Sequence, residues 1–414
     1  MLFKIFSFNS LSLVLRVVTS FLTSKAIAMF IGASGMALVG NLRNFLSSLE
    51  ALGTLGIQNG IIKRVAENYS DKKRLSHLFS IHFLGILILS VFLGIGIVVF
   101  SEFIANKIFD HADYSTVLKA IGILFPFQVL NVYCIAFLNG LSRYKKVVWV
   151  NSVSYLSGLV LSVVLMYFFR TMGALLAVSV IGLVLFLVSF YFVKEEITAF
   201  QIGSLRSSFK ELKGTLSYGL MSLFSAIISP LIYLFIRSLV INWDSLDAAG
   251  YYEAMNKISA LYMMFISSMI TLYYLPEFSK DTNQIKPLTK NYLTKIIPLF
   301  ALALSVLFLL RMYFIPLFLS KEFLPVSQLF FWQMLGDIFK AASLILGIQF
   351  YARKLVKPYF IFEIISFATM ISLSWFLISY AKVEGAVMAY CGTYFVYFVM
   401  LWMYFNGLWR KQTE

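Results

Sequence analysis

Twelve times along this chain a predominantly apolar stretch, long enough to cross the roughly 30 Å hydrocarbon core of a bilayer as a helix, gives way to a short polar break. The stretches are residues 8–31, 38–62, 76–100, 116–141, 147–169, 173–193, 215–239, 249–275, 293–315, 326–351, 359–380 and 385–408. No interval between them reaches the roughly 50 residues of a small soluble domain. Composition agrees with this pattern: 60% of the 414 residues are hydrophobic and 13% charged, against roughly 45–50% apolar in soluble domains. Mean hydropathy is +0.85. The expected fold class is an all-α polytopic membrane protein with twelve transmembrane helices. The first apolar run continues past Arg16 and Lys25, so it reads as an uncleaved first helix rather than a leader peptide.

The loops carry an orientation. Placing the N-terminus inside gathers "KRVAENYSDKKR", "RYKK", "KEEITAFQIGSLRSSFKELK", "EFSKDTNQIKPLTKNYLTK", "ARKLVK" and "WRK" on one face. About 22 Lys or Arg lie there against about 4 opposite, which by the positive-inside rule makes that face and both termini cytoplasmic. The net charge of +15 then reflects this asymmetry and the anionic inner leaflet, and gives no reason to invoke nucleic acid.

The longest central polar stretch separates six spans from six. The expected organisation is an N-terminal lobe over 1–200, a cytoplasmic interlobe linker over 201–214 and a C-terminal lobe over 215–414. An even number of helices per half puts both halves in the same orientation, as in parallel-repeat transporters. Short echoes fit: the fourth span contains "FQVLN" and exits at "RYKK", and the tenth contains "WQMLG" and exits at "ARKLVK".

Several chemistries find no support. Cys134 and Cys391 sit in apolar runs, without CxxC spacing, and read as packing residues. His77, His82 and His111 are scattered, and no phosphate loop, GxSxG elbow or HExxH helix occurs, so no cofactor or metal is expected.

Charges inside the spans are more informative, because each costs roughly 2.5–3.5 kcal/mol at mid-helix and normally faces a partner or a polar interior. In span two Arg43, Ser47, Glu50, Thr54 and Gln58 fall on one side of a helix. Such a stripe fits a water-filled cavity or an interhelical hydrogen-bonded seam. Arg16 shares a face of span one with Ser12, Thr19, Ser20 and Thr23. Lys25 lies about 180° around that helix, where it either snorkels outward or acts in function. Glu253 and Lys257 have acid-first i, i+4 spacing, which favours a local salt bridge, and Arg237 either closes a periplasmic gate or reaches headgroups. Glu363 lies about a turn and a half inside the cytoplasmic end of span eleven.

Asp337 and Lys340, in "WQMLGDIFKAA", lie about 17–21 Å into span ten, too deep to snorkel. One reading is a self-neutralising i, i+3 pair that only lowers insertion cost. The other is that Lys340 presents its charge to an anionic cargo while Asp337 tunes that charge or accepts a proton.

Taken in order, "FIGASGMALVGNLRNF", "YYLPEFSK", "WQMLGDIFKAASLILG", "FEIISF" and "AYCGTYFVYF" resemble the Wzx-type flippases of the polysaccharide transporter family, within the multidrug, oligosaccharidyl-lipid and polysaccharide exporter superfamily. The likeness is strongest to flippases for O-antigen and enterobacterial common antigen units and spans nearly the whole chain. It implies two pseudo-symmetric six-helix lobes around a central cationic cavity in the bacterial inner membrane. The implied activity is alternating-access translocation of undecaprenyl-diphosphate-linked oligosaccharide to the periplasmic leaflet, for lipopolysaccharide or other surface polysaccharide biosynthesis. By the resemblance, Lys25, Arg43 and Lys340 are cavity cations, Lys25 through a bend in helix one. Asp337 and Glu363 match acidic positions, whereas Glu50 rests on the polar stripe alone. Together with Arg16 these cations are the expected diphosphate site; Glu50, Asp337 and Glu363 are coupling or charge-balancing candidates, and Arg237, Glu253 and Lys257 gate candidates. Expected partners are the lipid-linked oligosaccharide, membrane lipids, a polysaccharide polymerase and a chain-length regulator, around a monomer.

Two other readings compete. A cation-coupled multidrug or small-metabolite antiporter would have an acid-dominated pocket, whereas surplus Arg and Lys favours an anionic diphosphate. A membrane glycosyltransferase or polymerase needs a substantial catalytic loop, and "SEFIANKIFDHADYS" and "INWDSLDAAG" are too short for one.

Overall fold

The computed structural model describes residues 2–197, 220–280 and 284–411. The interlobe linker expected over 201–214 lies outside the described residues. Among the described residues the structure is helical, without strands. Helices α1 (Leu2–Phe30), α2 (Gly32–Thr54), α3 (Gln58–Glu67), α4 (Lys72–Val99), α5 (Ser101–Phe109), α6 (Ser115–Gly140) and α7 (Tyr144–Lys194) form the first part of the chain. Then follow α8 (Leu220–Trp243), α9 (Leu246–Met269), α10 (Leu275–Lys280), α11 (Ile285–Asn291), α12 (Ile297–Leu309), α13 (Arg311–Phe318), α14 (Val326–Ala352) and α15 (Val356–Lys411). π-Helical turns at Ile270–Tyr274 and Tyr292–Ile296 join α9 to α10 and α11 to α12.

Among the described residues seven helices are long and apolar enough to cross a membrane. Two of these hold two expected spans each. A 51-residue helix such as α7 would reach about 77 Å if straight, far beyond a bilayer core. It folds back at Arg170, whose φ of 51° and ψ of −127° break the helix. Helix α15 does the same at Lys382, with φ 52° and ψ −134°.

The chain divides into two compact units, one of Met1–Ile31 with Leu38–Leu231 and the other of Gly32–Ala37 with Ile232–Glu414. Each unit contains the same corner. "RTMGALLA" (170–177) and "KVEGAVMA" (382–389) share a basic residue at the break, then glycine, alanine and a second alanine at matching offsets. The glycine is needed for close approach: a Cβ on Gly173 would sit 1.9 Å from the carbonyl oxygen of Leu165, and one on Gly385 2.1 Å from that of Leu377. Both corners are tied to the first helix of their own unit. Arg170 donates to the Phe30 carbonyl at the end of α1 (3.5 Å), and the Val383 N–H donates to Asp244, just past α8 (3.1 Å).

In the first unit, α4, α6 and α7 pack through Phe79, Phe83, Tyr133, Phe137, Phe186 and Phe190, with the Phe79 and Phe137 ring centroids 5.0 Å apart. The buried Tyr133 hydroxyl donates to the Phe79 carbonyl, so its one polar atom is satisfied (2.9 Å). At the open end of the α7 hairpin, Lys146 bonds Glu195 (2.8 Å) and Glu196 (2.7 Å), and Arg143 bonds Glu196 (2.9 Å). Burial by itself would raise the Glu196 carboxyl, but the hydrogen bonds and charges of Arg143 and Lys146 outweigh it and hold the group below the usual carboxylate range.

Span two differs from its expected form. Helix α2 stops at Thr54, and Leu55 and Gly56 adopt left-handed φ of 50° and 61°. The Leu55 and Gly56 N–H groups close the end on the carbonyls of Leu52 and Ala51. The polar stripe is therefore divided, with Gln58 opening α3 instead of extending α2.

Two outcomes test this account. Gly173→Ala and Gly385→Ala each overpack a hairpin and lower stability by about 1–3 kcal/mol. Gly407→Ala, with open space around its Cβ, shows no loss in the same detergent melting assay. For Glu196 the folded pKa is depressed, so its stabilisation is full above the unfolded value of about 4.3 and disappears as pH falls through the folded value. The melting difference between wild type and Glu196→Gln is therefore full at pH 7 and shrinks as pH falls below about 4.3.

Candidate functional site

Helix α14 carries the deepest charges, and the second unit builds around them. Asp337 is fully buried. Its carboxylate accepts from Ser259 Oγ at 2.8 and 2.9 Å, Tyr262 Oη at 2.5 Å, Tyr390 Oη at 2.6 Å and Gln333 Nε2 at 3.4 Å. Ser259 and Tyr262 stand one turn apart on α9, Gln333 one turn before Asp337 on α14, and Tyr390 on the second arm of α15. Hydrogen bonds to a charged group contribute roughly 1.5–3 kcal/mol each. Three short ones are enough to offset the roughly 2.5–3.5 kcal/mol cost of a carboxylate at helix centre.

Lys340 is stabilised differently. Its Nζ lies 5.4 Å from the ring centroid of Tyr390 and 5.1 Å from that of Tyr394. Tyr233 on α8 is also within electrostatic reach. A desolvated cation over an aromatic face gains about 2 kcal/mol or more, so two faces match the insertion cost of the ammonium. Aromatic rings stabilise a cation without cancelling its charge. Among the described ion pairs none joins Asp337 to Lys340. The i, i+3 spacing thus yields two separately held charges, linked through Tyr390, which gives its hydroxyl to Asp337 and its ring face to Lys340. The sequence singled out both charges but missed Ser259, Tyr262, Gln333, Tyr390 and Tyr394. The only trace of them was tyrosine and serine at helical spacing within apolar runs.

Next to this cluster, Arg237 of α8, 1% exposed, pairs with Glu253 of α9, 9% exposed. Glu253 thus binds across to the preceding helix, a partner that its spacing to Lys257 did not reveal. Lys257 lies one turn further on and is half-buried. Glu363 accepts from Tyr397 Oη at 2.8 Å, joining the two arms of α15.

In the first unit, Glu50 on α2 receives the side-chain amide of Gln128 on α6. The echo between "FQVLN" and "WQMLG" acquires a physical meaning here, since Gln128 and Gln333 each donate to a carboxylate of their own unit. Arg43 and Arg16 are exposed, with Arg16 in electrostatic reach of Tyr155, and Lys25 is half-buried. Helix α1 carries both Arg16 and Lys25 and runs without a break from Leu2 to Phe30.

A helical chain with charges held at membrane depth by their own hydroxyl and aromatic shells falls in the class of multi-pass membrane transporters. Residues 26–328 match the family described as polysaccharide biosynthesis protein, and the chain belongs to that family. It is 26% identical over 411 residues to the lipid III flippase of Escherichia coli (strain K12), covering 97% of each chain. Among solved structures it is similar to an inward-facing multidrug resistance MATE family transporter of the MOP superfamily, with a TM-score of 0.77 at 14% identity, covering 96% of this chain and 99% of that one. It is also similar to the lipid II flippase MurJ in an inward closed conformation, with a TM-score of 0.74 at 16% identity, covering 98% and 87%.

The Arg237–Glu253 pair makes a direct prediction. Glu253→Ala removes the acidic partner of a buried guanidinium and costs about 3–5 kcal/mol, whereas the double replacement Arg237→Met, Glu253→Leu recovers most of that loss. Thermal unfolding of the purified variants in one detergent measures both.

Proposed function

We propose that this chain is a flippase that moves a lipid-linked oligosaccharide, joined to a polyprenyl carrier through a diphosphate, from the cytoplasmic to the periplasmic leaflet by alternating access. The observation that carries the reading is the state of Lys340: an ammonium at membrane depth, held on the faces of Tyr390 and Tyr394, while the nearby carboxylate is occupied by other donors. Such a cation attracts an anion. A diphosphate and its glycan cannot cross hydrocarbon unsolvated, whereas the polyprenyl chain stays in lipid, so the protein needs to shelter only the head. We assign Lys340 of the second unit to the phosphate oxygens through charge-assisted hydrogen bonds, and Arg16, Lys25 and Arg43 of the first unit to attraction of the same anionic class of cargo. The lipid III flippase relative of similar length supports the cargo class. Glu50, Asp337 and Glu363 each accept a side-chain hydrogen bond, which supports charge balancing and anchoring for them. A cation-binding antiporter pocket would instead leave its carboxylates open.

In this assignment Asp337 is a positioning residue. Both termini face the cytoplasm, in keeping with the basic loops, and a polysaccharide polymerase with its chain-length regulator would take up the product.

Complementation of a flippase-deficient strain tests the assignment. Lys340→Ala and Lys340→Gln lower the rate of surface-glycan appearance by roughly 10–100-fold, the loss of one charge-assisted contact. Lys340→Arg keeps a larger share of the rate, and Arg43→Ala lowers it. Full activity of Lys340→Gln at normal membrane abundance would exclude the diphosphate role.

A further inference from the structure

The opposite side of α14 carries a feature that the head-group site does not use. At 100° per residue, Phe331, Leu335 and Ile338 centre about 160° around the helix from Gln333, Asp337 and Lys340. With Ala301, Ser305 and Phe308 of α12 they line a groove of about 300 Å3. The small residues Ala301 and Ser305, one turn apart, leave the space between the two helices unfilled. Ser305 Oγ donates to its own helix at the Ala301 carbonyl (2.9 Å), which leaves the groove apolar. Phe308 and Phe331 meet edge to face at one end, with centroids 6.4 Å apart.

That end carries a cation. Arg311 folds back over Phe308, its guanidinium carbon 4.0 Å from the ring centroid and its Nη1 donating to the Phe308 carbonyl at 2.7 Å. The side chain is half-buried, has no acidic partner among the described ion pairs, and holds its Nε buried without a hydrogen-bond acceptor. A cation at the mouth of an apolar groove complements an amphiphile with an anionic head. The groove follows α14 from the level of Arg311 toward that of Lys340, about 13 Å apart along the axis by the helical rise from Phe331 to Lys340. In the orientation given by the basic loops, Arg311 lies near the outer end of its span.

We propose that Arg311 and the groove between α12 and α14 form a binding site for a polyprenyl diphosphate lipid, with the diphosphate on Arg311 and the chain in the groove. The assignment rests on the flippase reading and makes this an outer-leaflet station through which the translocated carrier leaves. The flippase reading favours the polyprenyl carrier over bulk phospholipid, because that carrier is the anionic amphiphile released at the outer leaflet, where the orientation of the basic loops places Arg311.

Native mass spectrometry of the full-length protein, mixed with undecaprenyl diphosphate or phosphatidylglycerol, tests the site. Wild type retains undecaprenyl diphosphate at least tenfold more than phosphatidylglycerol, and inorganic diphosphate does not displace it. Arg311→Gln, which removes the charge, and Ser305→Trp, which fills the groove, each cut retention about tenfold at an unchanged melting temperature. If Ser305→Trp fails to fold, Ala301→Leu takes its place. Equal retention of phosphatidylglycerol, or undiminished retention in Arg311→Gln, overturns the proposal. Surface-glycan assays of Lys340→Gln run in parallel separate the two claims: loss of transport there with no effect of Arg311→Gln on retention sinks the groove site and leaves the flippase standing.

Discussion

A charge at membrane depth has to be stabilised by the protein itself, and the second unit is organised around that requirement at Asp337. Four side chains from α9, α14 and α15 converge on one carboxylate. Each was drawn from an apolar helix that would otherwise have no directional reason to choose a register against its neighbours. Packing of Leu and Phe alone tolerates sliding, whereas a buried carboxylate with three short hydrogen bonds does not. The cage therefore fixes helix register, and in fixing Tyr390 it also fixes the aromatic face on which Lys340 rests.

The division of labour between the two charges follows from their chemistry. A carboxylate is satisfied by hydroxyl donors, which tyrosine and serine supply without adding charge. An ammonium is satisfied by ring faces, which leave its field intact. Tyr390 serves both at once. A contact ion pair between Asp337 and Lys340 would have produced a neutral dipole of little use to an anionic head; here Tyr390 gives its hydroxyl to the one and its ring face to the other.

The two units repeat a small number of devices. A glutamine donates to a carboxylate in each, through Gln128 with Glu50 and Gln333 with Asp337. A basic residue of left-handed φ followed by glycine folds one long helix into a hairpin in each, at Arg170 and Lys382. The repeated glycine is the strictest element, since its Cβ would collide with a backbone carbonyl that cannot move without opening the hairpin. Around these shared points the units differ: in the second, Lys340 lies over two tyrosine faces beside the caged carboxylate of Asp337.

The amino-acid sequence by itself determined that the chain is helical and membrane-embedded, roughly where its spans lie, and that Asp337 and Lys340 are costly enough to have a purpose. These follow from hydropathy and helical rise, which are local quantities. It did not reveal the break at Leu55 and Gly56, because "LGTLG" is as apolar as the helix it ends and only backbone dihedrals expose the turn. Nor did it reveal which partners the charges take. Glu253 lies four residues from Lys257 but binds Arg237, and Asp337 lies three from Lys340 but binds hydroxyls 53 to 78 residues away. Only the tertiary structure decided those pairings, because when lipid offers no competing solvent a buried charge takes whichever donor the packing of neighbouring helices brings into hydrogen-bond range.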